Sequence, residues 1–431
     1  MQTGPRGHTH KKETDMAHDV MVIGAGIVGI STAIHLLRRG QSVVLVDKNR
    51  PGLETSFGNA GIIQREGVRP HAFPRDLATL MQVGLQMSTA ARYDPLALPR
   101  FAPALMRYWW ESSPGHYAHV VKSYAPLIAR SIEEHADLIA ASGAEDLVVK
   151  KGWFLIFRSE RALRDEAAKA KTDLELYDIH HRVVDGSEFA QIEPDLRETL
   201  AGAIHWTDPW TIRNPGALVG KYFDLFTSMG GEFLAGEAKG LEQDGDGWSA
   251  SIEGKRYRAR QAVITLGPWA PDVLDPLGYR LPLFVKRGYH MHYKPEDGAT
   301  LNNWMIDAEV GYCLAPMDMG IRLTTGAEFA MRDAAPTPIQ LGKAERVARA
   351  LFPLGERLDP QPWKGARPCT PDMMPIIGPA PRHRGLWVGV GHAHHGFTLG
   401  PATGHLLAQA MTGEKPSIDI RPFAMERFGT V

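Results

Sequence analysis

A chain of 431 residues is long enough for two or three domains and a large buried core. Its 48 Lys plus Arg against 49 Asp plus Glu make no case for nucleic acid as a partner, and 44% apolar residues is the balance of a soluble globular protein. Two distant cysteines, Cys313 and Cys369, supply neither a disulfide framework nor a cysteine metal motif; they suit a reducing compartment, and the expected location is cytoplasmic.

The first 16 residues, MQTGPRGHTHKKETDM, are polar and basic, lack the apolar stretch of a secretory signal, and read as a disordered leader. The clearest unit follows, DVMVIGAGIVGISTAIHLLRRGQSVVLVDKN (19–49). DVMVIG is a buried strand, apolar residues from Ile27 to Arg39 recur at helical spacing until Gly40, and SVVLVD is a second buried strand ending in an acid. Together they make a βαβ unit. Nowhere does a run of about 18 apolar residues predict a spanning helix. LALPRFAPALMRYWW (96–110) is the stretch that suits a peripheral contact with the inner face of the cytoplasmic membrane; the alternative is a partly buried helix rich in Trp.

Residues 76–204 are less regular, with helices near 120–142 and 160–172 and a short strand GWFLIF (152–157) between them. Asn214 as N-cap, Pro215 at the first position and Gly230–Gly231 beyond the end predict a helix over 215–230. EFLAGEAKGLEQ, WSASIEG and RYRARQAVITLG then read as strands joined by tight turns. LPLFVKRGYHMHY, GYCLAP and IRLTTGAEF, within 281–330, alternate as antiparallel strands, and a helix covers 340–352. PIIGPAP and GLWVGVGH bring a strand back to the opening segment, and ATGHLLAQAMTG closes the chain as a helix. Without repeats or low-complexity linkers, the domains interleave: 17–75, 205–275 and 362–431 form one, and 76–204 with 276–361 form the other. The expected class is α/β, a Rossmann-type domain interleaved with an α+β domain built on an antiparallel sheet.

GAGIVG places Gly24, Gly26 and Gly29 at the dinucleotide spacing. The first allows a tight turn after the strand, the second lets a pyrophosphate approach the backbone of Ala25, Ile27 and Val28, and the third lets helix pack on sheet. Asp47, followed by Lys48, ends the second strand where a carboxylate takes ribose hydroxyls. Near the C-terminus, GVGHAHHGFTLGPATG (389–404) crowds His392, His394 and His395 among glycines. A metal site needs further ligands, and none stands out, so no metal is expected and the glycines carry more meaning than the imidazoles.

Four stretches then combine: TSFGNAG (55–61), QAVITLGPWAP (261–271), GARPCTPDMMPIIG (365–378) and WVGVGHAHHGFTLGPATG (387–404). With the opening unit they resemble the D-amino acid oxidase superfamily, and most of all bacterial D-amino acid dehydrogenases of the small, FAD-binding subunit type. The match runs from Asp19 to about Pro416. It implies noncovalent FAD, since Cys369 lies near but does not align with the position where some relatives attach the cofactor. The FAD contacts implied beyond the first motif are Thr55, Ser56, Asn59, Ala60, Gly61 and Ile62 along the pyrophosphate. Further contacts are Ala238 and the strand end Leu266, Gly267 and Trp269, with Gly391, Gly396, Phe397 and Thr398 at the flavin ring.

In that family the arginine of the GxRP motif, here Arg367, binds the substrate carboxylate; the alternative for this residue is an ion pair with Asp372. The family's strand tyrosine best matches Tyr312, with Tyr289 in RGYH as the second choice. Within the segment matching AHHG, where glycine and sarcosine oxidases carry an Arg or Lys, this chain has His394 and His395, a departure that weakens the case for those substrates and leaves His394 as the candidate to face the substrate. The activity implied is oxidation of a D-amino acid at its α-carbon to an imine, which hydrolyses to a 2-oxo acid and ammonia. D-proline or hydroxyproline dehydrogenases and N-methyl amino acid oxidases are the alternatives within the class, and a non-catalytic electron carrier the alternative outside it. The electron acceptor stays open among oxygen, a quinone and a carrier protein.

Overall fold

Strand Ala17–Ile23 is apolar on both faces because it is covered on both faces, the pattern of a central parallel strand. It pairs in parallel with Val43–Asp47 on one side and Lys255–Ile264 on the other. Glu232–Ala235 extends the first edge. Lys255–Ile264 divides its outer edge: Gly247–Ile252 takes the first half antiparallel, and Leu386–Val390 takes Ala262–Ile264 in parallel. The result is an eight-stranded sheet assembled from three distant chain segments. Val20, Val22, Val43 and Leu45 face helix Ile27–Leu37 and the closing helix Gly396–Met411, whereas Met21, Ile23, Val44 and Val46 meet Trp248, Ala250 and Tyr279. The two helices pack so closely that a Cβ on Gly404 would lie 2.5 Å from the backbone nitrogen of Thr32. The computed structural model describes residues 17–296 and 298–429, so the expected leader at 1–16 lies outside the described residues.

A second, eleven-stranded sheet is organised by the 12-residue strand Phe284–Pro295. It pairs antiparallel with Gly320–Thr324, Ala327–Phe329, Leu354–Arg357 and Trp363–Cys369. Two pairs elsewhere in the sheet are parallel, Met305–Asp307 with Trp153–Phe157 and Ala327–Phe329 with Ala91–Tyr93. Strand alternation sends Tyr289, Met291 and Tyr293 into a core with helix Ile339–Leu351, and leaves Phe284, Lys286, Gly288 and His290 on the opposite face. That face looks toward the first sheet, and the site lies between them.

Sheet membership corrects two expected boundaries. Trp363–Cys369 pairs along Phe284–Pro295, and Gly202–Trp206 pairs with Trp153–Phe157, so both belong to the second sheet. The physical reason is that strand pairing, not position in the chain, decides membership: GARPC runs antiparallel along residues 284–288 and leaves that sheet only after Cys369. The helix expected near 120–142 is two, Pro114–Ala129 and Ser131–Ser142, jointed at Arg130. Helix Leu98–Glu111 buries Phe101 and Tyr108 but turns Trp109 and Trp110 outward, 43% and 58% exposed.

Candidate active site

The three glycines of the first turn have three different duties. Gly24 has φ of +111°, and a Cβ there would lie 2.7 Å from the carbonyl of Thr265. At Gly29 a Cβ would fall 1.8 Å from the Gly24 oxygen, so this glycine serves helix–sheet packing and does not line the cavity. Gly26 is different: nothing comes nearer to its added Cβ than Ser56 Oγ at 3.6 Å. The fold itself does not need that glycine, whereas a group approaching the backbone does. Gly26 also begins helix Ile27–Leu37 without a side-chain cap, leaving the positive end of the helix dipole toward the cavity. Asp47 Oδ2 accepts from Ala25 N–H at 2.7 Å, which holds the carboxylate beside the turn.

From this turn a cavity of about 1190 Å³ runs between the sheets. Lys48, Thr55, Ser56, Asn59, Ala60 and Ile62 border it along one wall, and Ala238, Leu266, Gly267 and Trp269 along another. At its far end stand Gly396 and Phe397, which open the closing helix, again with no side-chain cap. Three further expected contacts stand back from the cavity. A Cβ on Gly61 would meet the Ile212 oxygen at 2.3 Å, one on Gly391 would meet Thr370 Cγ2 at 2.8 Å, and Thr398 Oγ1 is engaged by Gln64 N–H and the Ile62 carbonyl. These residues position the wall; they do not form it.

Arg367 opens on the cavity from strand Trp363–Cys369. Its Nη1 donates to the Gly326 carbonyl at 3.0 Å, and it has no carboxylate partner among the described residues. Asp372 is taken by Arg427 at 2.6 Å, so the expected alternative of an Arg367–Asp372 pair is corrected. Tyr289 is corrected too. It lies on the other face of its strand, where its hydroxyl donates to Glu328 at 2.7 Å and accepts from Thr337 N–H at 2.9 Å. Tyr312 borders the cavity, but its ring joins the core behind the sheet and its hydroxyl accepts from Arg158 at 3.5 Å. The tyrosine that stands among the polar groups of the cavity is Tyr108, whose hydroxyl accepts from Lys286 at 3.0 Å and donates to the His71 carbonyl.

The three clustered histidines all border the cavity but have different partners. His392 Nε2 meets Thr403 Oγ1 at 2.9 Å and His395 Nδ1 meets the Tyr124 hydroxyl at 2.8 Å, both buttressing the closing helix. His394 lines the cavity with its ring 4.7 Å from that of His71. Burial, the His71 ring and the Arg367 and Lys286 charges hold His394 well below the ordinary imidazole range; burial and the same two charges lower His71 to about 4. Both rings are therefore neutral near pH 7. Among the described residues, the group of donors close enough together to hold a metal ion is elsewhere, His35, Glu134 and His405, where Glu134 is already bound by Arg130 and His405. Sequence reasoning missed His71, Tyr108 and Lys286. A signal existed only for Lys286, which lies on the expected strand LPLFVKRGYHMHY three residues before Tyr289.

A nucleotide cofactor fits this cavity. Gly26 is bare, two helix starts border it uncapped, and Thr324 Oγ1, a wall residue, is buried without a partner. The family model described as FAD dependent oxidoreductase matches residues 19–410. The chain belongs to this FAD dependent oxidoreductase family. Relatives of such FAD dependent oxidoreductases at this similarity include a D-amino-acid oxidase of Bradyrhizobium diazoefficiens, 29% identical and covering 95% of this chain and 98% of that protein. A D-amino acid dehydrogenase of Chromohalobacter salexigens is 28% identical, covering 93% and 97%. Among solved structures, a glycine oxidase from Geobacillus kaustophilus superposes with a TM-score of 0.73 at 22% identity, covering 95% of this chain and 99% of that one; this shows the shared fold. The cofactor of this FAD dependent oxidoreductase is thus FAD, and the residues that would hold its dinucleotide are those of the Gly24–Val28 turn with Asp47, which border the cavity.

Proposed function

We infer that the protein oxidises D-amino acids at the α-carbon, giving an imine that hydrolyses to a 2-oxo acid and ammonia. The observation that carries this reading is Arg367, a guanidinium opening on the cavity with one backbone acceptor and, among the described residues, no acid to neutralise it. A planar fork of donors grips a carboxylate bidentately and so fixes which face of the α-carbon meets the cofactor. When bound, FAD supplies the acceptor for the hydride leaving that carbon. The substrate must arrive with its amine neutral, because His394 and His71, held low by burial and by the Arg367 and Lys286 charges, are too weakly basic to take a proton from an ammonium group. The relatives named for D-amino acid oxidation support the stereochemical part. FAD is held noncovalently in this reading, because the Cys369 thiol is buried, donates to the Arg367 carbonyl and is pushed up by burial, which keeps it protonated. The test is anaerobic titration of the yellow protein with D-, L- and N-alkyl amino acids: D-amino acids bleach the flavin and L-amino acids do not. The reading fails if D-amino acids leave the colour unchanged. Admitting air afterwards separates oxygen from a quinone or carrier as acceptor, and acid precipitation leaves the colour in the supernatant if FAD is noncovalent.

The exposed apolar side chains support a peripheral membrane contact as part of the same reading. Leu77 and Met81 of helix Leu77–Gly84 and Leu85 just beyond it are exposed, as are Leu96, Met106 and Trp110 on and ahead of helix Leu98–Glu111, and Arg75, just before the first helix, stacks 4.1 Å over Trp109 of the second. Apolar residues flanked by Arg100 and Arg107 match an anionic lipid surface. Among the described residues no helix is long and apolar enough to cross a membrane. The protein is expected to sediment with phosphatidylglycerol vesicles, and the Leu85→Ser, Met106→Ser, Trp110→Ser triple variant to remain in the supernatant.

A further inference from the structure

Lys286 and Arg367 are register partners on neighbouring antiparallel strands, so both side chains leave the same face of the sheet toward the cavity. From that shared origin they diverge. Arg367 leans across Gly288, where an added Cβ would come 2.5 Å from its Nη2. Lys286 leans the other way, its ammonium 4.3 Å from the centroid of the Tyr108 ring, with Phe284 and Phe329 at 5.7 and 5.5 Å. Like charges directly opposed in a sheet are unfavourable, and cations removed from water without an anion are more so. Neither has an acidic partner among the described residues. Asp372 is held by Arg427, and Glu328 lies on the opposite face, held by Arg287.

The ammonium has three donors, and a single acceptor, the Tyr108 hydroxyl, meets it. Beside it the cavity continues into a side pouch of about 20 Å³ bordered by Lys286, His71, Tyr108, Tyr124, Thr370 and His394. Such a pouch holds roughly one or two water-sized atoms, the size of the two oxygens of a carboxylate. It contains no negative group of its own, and its imidazoles are neutral near pH 7. Arg367 and Lys286 are therefore two separate anion sites at opposite ends of one short space.

We propose that the preferred substrate is an amino dicarboxylate, its α-carboxylate on Arg367 and its side-chain carboxylate in the pouch on Lys286. This rests on the amino acid reading above and adds to it a specificity-determining residue. A side chain of the aspartate or the glutamate length supplies the same chemistry, and the experiment distinguishes them.

The holoenzyme is assayed with D-aspartate and D-glutamate against their amides, D-asparagine and D-glutamine, which keep the shape and lose the charge. One acid is expected to exceed its amide in kcat/KM by about tenfold or more, the scale of one charge-assisted hydrogen bond. In Lys286→Met, which keeps a flexible side chain within the aromatic cage, that ratio falls toward one, and Lys286→Arg restores it in part. A reading independent of turnover comes from malonate, succinate and glutarate against acetate, propionate and butyrate, followed by perturbation of the flavin spectrum. The dicarboxylates bind more tightly, and the advantage falls about tenfold in Lys286→Met. Acids no better than amides, or a ratio that Lys286→Met leaves in place, overturns the proposal while the amino acid reading stands. If no D-amino acid bleaches the flavin, the amino acid reading falls, and the carboxylate series still decides whether Lys286 is an anion site.

Discussion

The two ends of the cavity are built on different rules. At the cofactor end the wall begins with a turn of glycines, backbone N–H groups and a helix start contributed by one continuous stretch, Ile23 to Asp47, with Gly26 kept free of a side chain. At the substrate end they are long polar side chains, His71, Tyr108, Lys286, Arg367 and His394, carried by five separate segments. A cofactor common to many reactions is met by a local backbone shape, whereas a particular substrate is met by side chains that only the complete fold assembles. The first kind of site fails when atoms are added, and the second when atoms are removed.

The largest expected effect is therefore an addition at the cofactor end. Gly26→Val is expected to fold, since its surroundings are open, but to purify colourless; near-native circular dichroism without flavin absorbance is the result to look for. Gly29→Val, with its Cβ driven into the Gly24 carbonyl, is expected to yield no folded protein. Removal at the substrate end comes next. Arg367→Leu should keep its colour and lose kcat/KM by roughly 30- to 1000-fold, the about 2–4 kcal/mol scale of an unpaired buried carboxylate contact. Full activity in this variant would place the substrate elsewhere.

A smaller effect separates the ends by pH. Burial lowers His392 and His395 to about 3 and His135 to about 4, and all three support the closing helix. Because the folded state binds fewer protons than the unfolded chain between these values and 6.5, the stability they contribute is complete above pH 6.5 and is lost as pH falls. At pH 5.5 the loss is on the order of 1 kcal/mol for each. Denaturant titration at pH 7.5 and 5.5, with flavin fluorescence reporting release, checks it. The smallest effect on rate belongs to Tyr289→Phe. Its hydroxyl serves Glu328 behind the sheet, so stability should fall by about 1–2 kcal/mol while kcat/KM stays within about twofold.

The same contrast explains what the sequence disclosed. GAGIVG and the acid at Asp47 announce the cofactor end because strand, turn and helix lie within one window and each glycine has a steric reason. Asn214 as the cap of helix Pro215–Ser228 was legible for the same local reason, its side chain accepting from Ala217 N–H at 3.0 Å. Arg367 was legible through a motif, but its freedom from Asp372 was not, because Arg427, which takes that carboxylate, is 55 residues further on. Tyr312 and Tyr289 looked alike as strand tyrosines. Which face each occupied depended on register with other strands, and a period of two gives no absolute phase. Tyr108 and Lys286, 178 residues apart, could not be joined by any local pattern.

The closeness of Gly404 to Thr32 also has a consequence in time. Helix Ile27–Leu37 and the strand before it leave the ribosome long before the helix that covers them, Gly396–Met411. At ordinary translation rates that interval is roughly 20–70 s, during which an apolar strand and helix have no permanent cover. The nucleotide pocket is thus complete only once Gly396–Met411 has been made and has docked on Ile27–Leu37.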